Sequence, residues 1–484
     1  MPMEPRGTRS VAQATKASPV HAERPFAGYV RLDWIHKVAK ARPTERFTSL
    51  VHHFNEANLR RAFHELDGSK AVGIDRVTKE QYRKDLDANI KALVTSLKDG
   101  SYRPSPSRQV LIPKPQGGTR PLAVGCLQDK IVQTLAARIL EAVFEPMFSS
   151  VSYGFRRNKS PHQALGRLHE TIEARSGQCV VVEMDIEKFF DSMNHDLLMQ
   201  GLETRIADPN FLKLSRVLLR ADVLKVDGRI SATSLGTPQG SPVSPVLANI
   251  YLHFLLDRWF EQNYRSSGRM IRYADDAVFV FEDLAAAEKF RTALERRLAE
   301  GELTLNLDKS AIVPFSRRSP KGTISFLGFE LYWGRNRQRR RHLKLKTLAK
   351  RLSRSINSFT DWIKTARNRM KLDKLWRLVR AKFQGHFQYY GVRTNSAKLS
   401  HFYHACVGAL YKWLNRRSQK RSFTWERFEK RLRFNPLPTP PPNVELRDVS
   451  SERNSLKHKP KSRMREIRTS GSVRSTGWQQ PVFS

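Results

Sequence analysis

Met270-Ile271-Arg272-Tyr273-Ala274-Asp275-Asp276-Ala277-Val278-Phe279-Val280-Phe281 decides how this chain folds. Two apolar arms flank a pair of adjacent carboxylates, the pattern of a β-hairpin. Asp is common in turns, so Asp275 and Asp276 alone read as ordinary turn residues. A second stretch changes that reading. Cys179–Ile186 is a strand whose unbroken run Val180-Val181-Val182 suits a sheet centre, and Asp185 stands at its end. Neighbouring carboxylates repel one another and resist losing water. Folding avoids such a gathering unless a cation settles it. Mg²⁺, a hard divalent ion, takes few carboxylates and leaves positions for substrate phosphate. Two such ions roughly 3.5–4 Å apart can clamp the attacking and leaving oxygens of a phosphoryl transfer.

The acidic residues stand out because the rest of the chain is basic. Its 484 residues hold 86 Lys+Arg against 46 Asp+Glu, a formal charge of +40. That excess exceeds what solubility needs and points to a polyanion, nucleic acid ahead of a membrane surface. Three scattered cysteines, Cys126, Cys179 and Cys406, exclude a disulfide scaffold and a Cys-based zinc finger. No run of 18 apolar residues exists, so no membrane partner is expected. The first 26 residues lack an apolar core, so a secretory signal is not expected and the chain reads as cytoplasmic.

Outward from the hairpin, helical spacing marks Leu59–Leu66, Tyr82–Leu97 and Asp129–Phe148. Tyr102–Leu122 reads as strand, loop and strand, with Gln116, Gly117 and Gly118 at the turn. A Pro/Gly loop opens a long apolar helix, Val246–Phe260. After the hairpin come a helix (Ala285–Leu298), a short strand (Leu303–Leu307) and a second hairpin (Ile324–Tyr332). From Arg335 the composition shifts: residues 335–382 hold 18 Lys/Arg and two acids. Leu345, Leu348, Leu352, Ile356, Phe359 and Ile363 keep helical period beneath that charge, which predicts a helical module with a basic outside.

Several motifs together resemble the reverse transcriptases. Tyr273-Ala274-Asp275-Asp276 is similar to their active-site motif, and Asp185-Ile186-Glu187-Lys188-Phe189-Phe190-Asp191 to their first catalytic motif. Gly236-Thr237-Pro238-Gln239-Gly240-Ser241-Pro242 resembles the template- and nucleotide-positioning motif. Ile112-Pro113-Lys114-Pro115 with Arg120-Pro121-Leu122 resembles the fingers motif. Ser152-Tyr153-Gly154-Phe155-Arg156 and Phe326-Leu327-Gly328-Phe329 fit two further blocks, in matching order. The resemblance implies an α/β right-hand polymerase, with fingers and palm on an antiparallel sheet and a helical thumb. Asp185, Asp275 and Asp276 would be catalytic and would hold two Mg²⁺. Lys114 and Arg120 would grip the incoming triphosphate, though the residues by themselves favour a solvated loop. Gln239 would lie near the nucleotide. Phe190 would block a ribose 2′-hydroxyl, unless it is a core Phe. Lys309 matches a family lysine near the palm, and Glu187-Lys188 departs from the commoner Lys-Gly pair.

The C-terminal module narrows the class. Gly385-His386-Phe387-Gln388-Tyr389-Tyr390-Gly391, Leu410–Ser418 and Thr424–Phe428 resemble the thumb and maturase domain of group II intron-encoded proteins. Aromatics interleaved with Lys and Arg suit RNA. Tyr389, Tyr390, Trp413 and Trp425 read as helix packing, whereas Arg416, Arg417, Lys420 and Arg421 read as an RNA surface. No Cys follows Cys406, so a His-Asn-His endonuclease is not expected. The expected organisation is a polar lead (1–44), fingers and palm (45–334), thumb and maturase module (335–442) and a basic disordered tail (443–484). The implied partners are group II intron RNA, an RNA template with a DNA primer, dNTPs and a DNA target. The implied function is RNA-directed DNA synthesis together with assistance to splicing and retrohoming. A stand-alone host reverse transcriptase and a non-enzymatic RNA-folding maturase are the rival readings.

Overall fold

The computed structural model describes residue 26 and residues 28–441, apart from 114–117, 176, 233, 337 and 418–423. The polar lead, the tail, Lys114, Lys420 and Arg421 therefore lie outside or largely outside the described residues. The order of elements follows from three sheets. Strands β1 (Ser107–Pro113), β2 (Thr119–Val124), β4 (Val223–Leu224) and β5 (Ile230–Ser231) form one sheet, in the order β2-β1-β4-β5. Strands β3 (Gln178–Met184), β6 (Gly268–Tyr273), β7 (Asp276–Phe281) and β8 (Ile312–Ser316) form the central sheet, β6-β7-β3-β8, antiparallel throughout. Strands β9 (Ile324–Phe326), β10 (Phe329–Arg335) and β11 (Arg341–Thr347) make the third.

The unbroken apolar run of β3 is explained by cover on both faces. Val180, Val182 and Met184 join one hydrophobic core with Met270, Ala277, Phe279 and Phe281. Val181 turns to a second core with Ile271, Val278 and Val280. Successive strand residues point to opposite faces, so one run of valines serves two cores. Phe290, Leu294 and Leu298 of the helix Leu284–Glu300 cover the first face. Leu165, Leu168 and Ile172 of the helix Pro161–Ala174 share the second core with the third sheet and the C-terminal helices. The C-terminal helices Ala349–Ala366, Leu372–Tyr390, Ser396–Leu414 and Trp425–Phe434 thus grow out of the palm's own core. Leu375, Val379, Phe383 and Phe387 give Leu372–Tyr390 its buried stripe at helical spacing.

Three sequence readings are corrected. Leu303–Leu307 is not a strand; only the bridge Ile186↔Leu305 forms there. Its apolar run misled because Leu303 and Leu305 are buried while Leu307 is 61% exposed. The sheet partner of β3 is instead β8, with Cys179 opposite Phe315. Leu345 is not helical either. It lies in β11, where Leu343, Leu345 and Thr347 alternate inward against β10, and the helix begins at Ala349. The apolar helix Val246–Phe260 is interrupted by a π-turn at His253–Asp257. Arg297 donates to the carbonyls of Leu255 (2.7 Å) and Phe254 (3.4 Å), which the altered ladder leaves open.

Candidate active site and nucleic-acid interface

The register of the central sheet assembles the acidic site. Met184 pairs with Ala277, so Asp185, the next residue of the chain, leaves β3 beside the start of β7 at Asp276. Tyr273 pairs with Asp276, which leaves Ala274-Asp275 as the two-residue turn. Ala274 sits in the left-handed region at φ 58°, a conformation costing an L-residue roughly 1–2 kcal/mol. Two contacts hold it there. Arg272 donates from Nη1 to the Ala274 carbonyl at 2.9 Å. Gly154 lies beneath the turn so closely that a Cβ would stand 2.2 Å from the Ala274 nitrogen. Only glycine fits under this hairpin.

Arg272 itself is wholly buried. It forms a two-pronged ion pair with Asp257, Nε to Oδ1 at 2.7 Å and Nη2 to Oδ2 at 2.5 Å. Its Nη1 also donates to Asn249 Oδ1 at 3.1 Å, and Asn249 Nδ2 donates to the Gly154 carbonyl at 2.8 Å. The π-turn brings Asp257 to this position. Sequence reading missed Arg272, Asp257 and Asn249. Their signal was present: an Arg in the apolar arm of a hairpin, and an Asp and Asn on the apolar helix Val246–Phe260.

Asp275 and Asp276, beside Asp185, have no such balance. Burial raises the Asp275 pKa, helped by the charge of Asp185 and opposed by Arg120 and Arg272. Asp276 is pushed up to about 7, first by burial, then by Asp275 and Asp185, with Arg351 and Lys309 opposing. Lys309 Nζ stands 3.2 Å from Asp185 Oδ2, a side-chain cation occupying ground suited to a metal. Asp185 is braced through its backbone, by Ser310 Oγ (3.1 Å) and by Asn306 N donating to its carbonyl (2.8 Å). Among the described residues no group of three or more His, Cys, Asp or Glu is gathered as a ready metal cage. Mg²⁺ does not demand one, since it uses one or two carboxylates together with substrate phosphate and water. A desolvated, mutually repelling, all-oxygen donor set fits a hard divalent cation.

Arg120 and Gln239 are brought together. Arg120 Nε donates to Gln239 Oε1 at 2.6 Å, and Gln239 Nε2 donates to both Asp191 oxygens at 3.2 Å. Ala123 N donates to the Gln239 carbonyl at 2.8 Å, tying β2 to this loop. Phe190 is half-buried, edge-on to Phe189 at 5.4 Å between ring centres. Gly236, at φ 77°, lies so close that a Cβ would meet the Phe190 carbonyl at 2.5 Å, and Thr237 N donates to that carbonyl at 2.7 Å. Lys188 adopts φ 44°, a left-handed turn that glycine would enter without strain.

Arg416 and Arg417 are exposed at the end of Ser396–Leu414. Tyr389 and Tyr390 are buried, and Tyr389 donates to the Leu327 carbonyl at 3.0 Å. Trp413 is half-buried. Trp425 departs from the expected core position. It is 45% exposed and donates to Glu429 at 2.8 Å, its ring leaning on Tyr411 and Phe428. No helix among the described residues is long and apolar enough to cross a membrane.

Comparison with known proteins bears on this geometry. A reverse transcriptase (RNA-dependent DNA polymerase) family profile matches residues 112–331, which hold all three carboxylates, Arg120, Phe190 and Gln239. Protein YkfC of Escherichia coli is 33% identical over 285 residues, covering 51% of this chain and 73% of that protein. An uncharacterised 91 kDa protein in the cob intron of Schizosaccharomyces pombe is 42% identical over 172 residues, 36% of this chain and 21% of that one. The group II intron-encoded protein LtrA of Lactococcus lactis subsp. cremoris is 40% identical over 168 residues, 34% of this chain and 27% of LtrA. The chain thus spans most of YkfC but about a quarter of the longer intron proteins' length. Residues 112–331 carry the reverse transcriptase domain, that of the RNA-directed DNA polymerases.

Proposed function

We propose that the chain extends a DNA primer on an RNA template through Asp185, Asp275 and Asp276, and that its helical module binds group II intron RNA to assist splicing and retrohoming into a DNA target. The observation that supports this reading is the meeting of the poorly neutralised Asp275 and Asp276 with Asp185 at the junction of β3 with the β6–β7 turn. Asp185, Asp275 and Asp276 would hold two Mg²⁺, which supply charge stabilisation at the attacking hydroxyl and the leaving pyrophosphate. The protein's own part is positioning and charge. Arg120 faces the same space as Asp275 and offers its remaining N–H groups to triphosphate oxygens. Gln239 orients Arg120 from one side and Asp191 from the other. Phe190 presents its half-exposed ring beside the Gly236–Gln239 loop, where it would exclude a 2′-hydroxyl. Lys114, which follows β1 in the sequence, would add a second cation to the triphosphate. The exposed Arg416 and Arg417, with Lys420 and Arg421 beyond them, would meet RNA in the cytoplasm.

Primer extension on poly(rA)/oligo(dT) with Mg²⁺, beside retention of intron RNA on a filter, tests both halves. The expected result is extension and RNA retention by the native chain. RNA retention without any extension would replace the reading with a non-enzymatic maturase. Extension without retention of intron RNA would leave a stand-alone reverse transcriptase.

A further inference from the structure

Four cations crowd one indole at the far end of the helical module. The guanidinium carbons of Arg367 and Arg416 stand 4.6 and 5.1 Å from the centre of the Trp413 ring. The ammonium groups of Lys364 and Lys412 stand 5.6 and 5.9 Å from it. Among the described residues no carboxylate pairs with any of the four. Arg367 Nε and Nη1 are buried and have no hydrogen-bond partner.

A bland explanation exists for part of this. Lys364 and Lys412 lie in the last turns of Ala349–Ala366 and Ser396–Leu414, where cations favour the helix dipole. The charges do not balance, however. Two helix C-termini supply roughly −0.5 each, about one negative charge against four positive. The dipole also does not explain donors of Arg367 buried without an acceptor, which cost about 1–3 kcal/mol. Cation–π attraction holds each cation to the ring with about 0.5–1 kcal/mol, enough to orient the side chains but not to cancel their charge.

We propose that the Trp413 cluster is a phosphate-binding platform for the backbone of a nucleic-acid strand, with the exposed Arg416 as its forked donor, Lys364 and Lys412 as its rim and Arg367 beneath them as a fixed positive charge. The exposed Arg416 guanidinium, held beside the aromatic ring, is pre-organised and offers its N–H donors to a phosphodiester. Protein cations crowd the ring, so little of it is left for a base to stack on. The platform therefore reads backbone and not sequence. This deepens the proposed RNA-binding reading of the helical module and rests on it.

The test is a salt titration of binding by the full chain, with a structured RNA of unrelated sequence in one arm and duplex DNA in the other. Each lost phosphate contact lowers the slope of log K against log salt by about 0.7–0.9. Arg416→Gln is expected to lower it by one contact, and Lys364→Gln/Lys412→Gln by up to two, about 1.4–1.8. Trp413→Leu keeps every charge but removes the platform, and is expected to weaken binding about two- to fivefold. Trp413→Phe is expected to recover most of that loss. The lysine pair and Arg416 are exposed, so they carry the test even if a Trp413 variant fails to fold. A response in the RNA arm alone identifies RNA as the strand; a response in the DNA arm identifies the target DNA. Unchanged slopes in both arms, with native melting, overturn the proposal. The native chain's retention of intron RNA is a separate readout, so loss of the wider RNA-binding reading would be seen apart from loss of this site.

Discussion

A buried charge cluster and a half-exposed one meet at one hairpin turn, and they are built on opposite principles. Behind the turn, Arg272 meets Asp257 in a two-pronged pair, and Asn249 and the Ala274 carbonyl take the remaining Nη1 donor. In front of it, Asp185, Asp275 and Asp276 act on one another's charge, with Lys309 paired to Asp185. The first cluster is balanced within the protein; the second sets three carboxylates against one paired lysine. A balanced buried pair fixes geometry, whereas an unbalanced one marks the place where chemistry is done. The balanced cluster also serves the other, because Arg272 and Gly154 hold the strained Ala274 that aims Asp275.

Removing a charge should therefore have opposite effects on the two sides. Asp185→Ala is expected to cut extension by at least about a thousandfold, roughly 4 kcal/mol of barrier, with a melting temperature equal to or above the native one. A fall in melting temperature with extension retained would place Asp185 among the structural residues. Arg272→Met should do the reverse in stability, costing about 3–5 kcal/mol because Asp257 is left buried and unpaired. Arg272→Met/Asp257→Leu is expected to recover most of that stability in urea unfolding while extension stays low, since Ala274 has lost its tether. Recovery of both would separate the pair from the site.

Gly154→Ala sharpens the same point with one methyl group. The added Cβ meets backbone at 2.2 Å, so the hairpin must shift. Extension is expected to fall about tenfold to a hundredfold, since a misplacement near 1 Å carries that order of loss. Native kinetics from this variant would mean the turn tolerates movement. Gln239→Ala, which frees Arg120 from Asp191, should raise the KM for dNTP more than it lowers kcat. An equal loss in both would remove Gln239 from nucleotide positioning.

The smallest effect concerns pH. The Asp276 pKa lies near 7 in the fold against 3.8 for the free side chain, so the fold binds this proton more tightly than the unfolded chain. Metal-free stability from this group is present below about pH 4 and is lost as pH rises towards 7. Asp276→Asn should flatten that decline in thermal melts between pH 4 and 7. A parallel curve would mean the charge of Asp276 is already neutralised.

What the sequence disclosed divides along the same line. The carboxylates were legible because each stands at the end of an apolar strand, a place where burial and charge conflict openly. The hairpin, the β1–β2 arms and the valine strand followed from period-two alternation and turn residues. Arg272 and Asp257 were not legible, because one lies in a strand and the other in a helix, 15 residues apart, and only a π-turn aligns them. Leu345 was misread because β11 alternates Leu343, Leu345 and Thr347 just before a helix whose Leu352 continues an apparent helical spacing. Leu303–Leu307 was misread because a short apolar run does not distinguish a strand from a buried loop bracing Asp185. The family resemblance supplied the role of Arg120 and Gln239, while their contact with each other emerged only from the fold.

The most direct test of the central claim is the extension rate of Asp275→Asn on poly(rA)/oligo(dT), with native folding confirmed on the same preparation. Asn keeps the size and hydrogen bonding of the side chain and removes only its charge. If the unbalanced carboxylates exist for catalysis, extension falls by at least about a thousandfold while the protein melts at or above the native temperature. Extension within tenfold of native would contradict the claim, because the charge at the hairpin tip would then be dispensable.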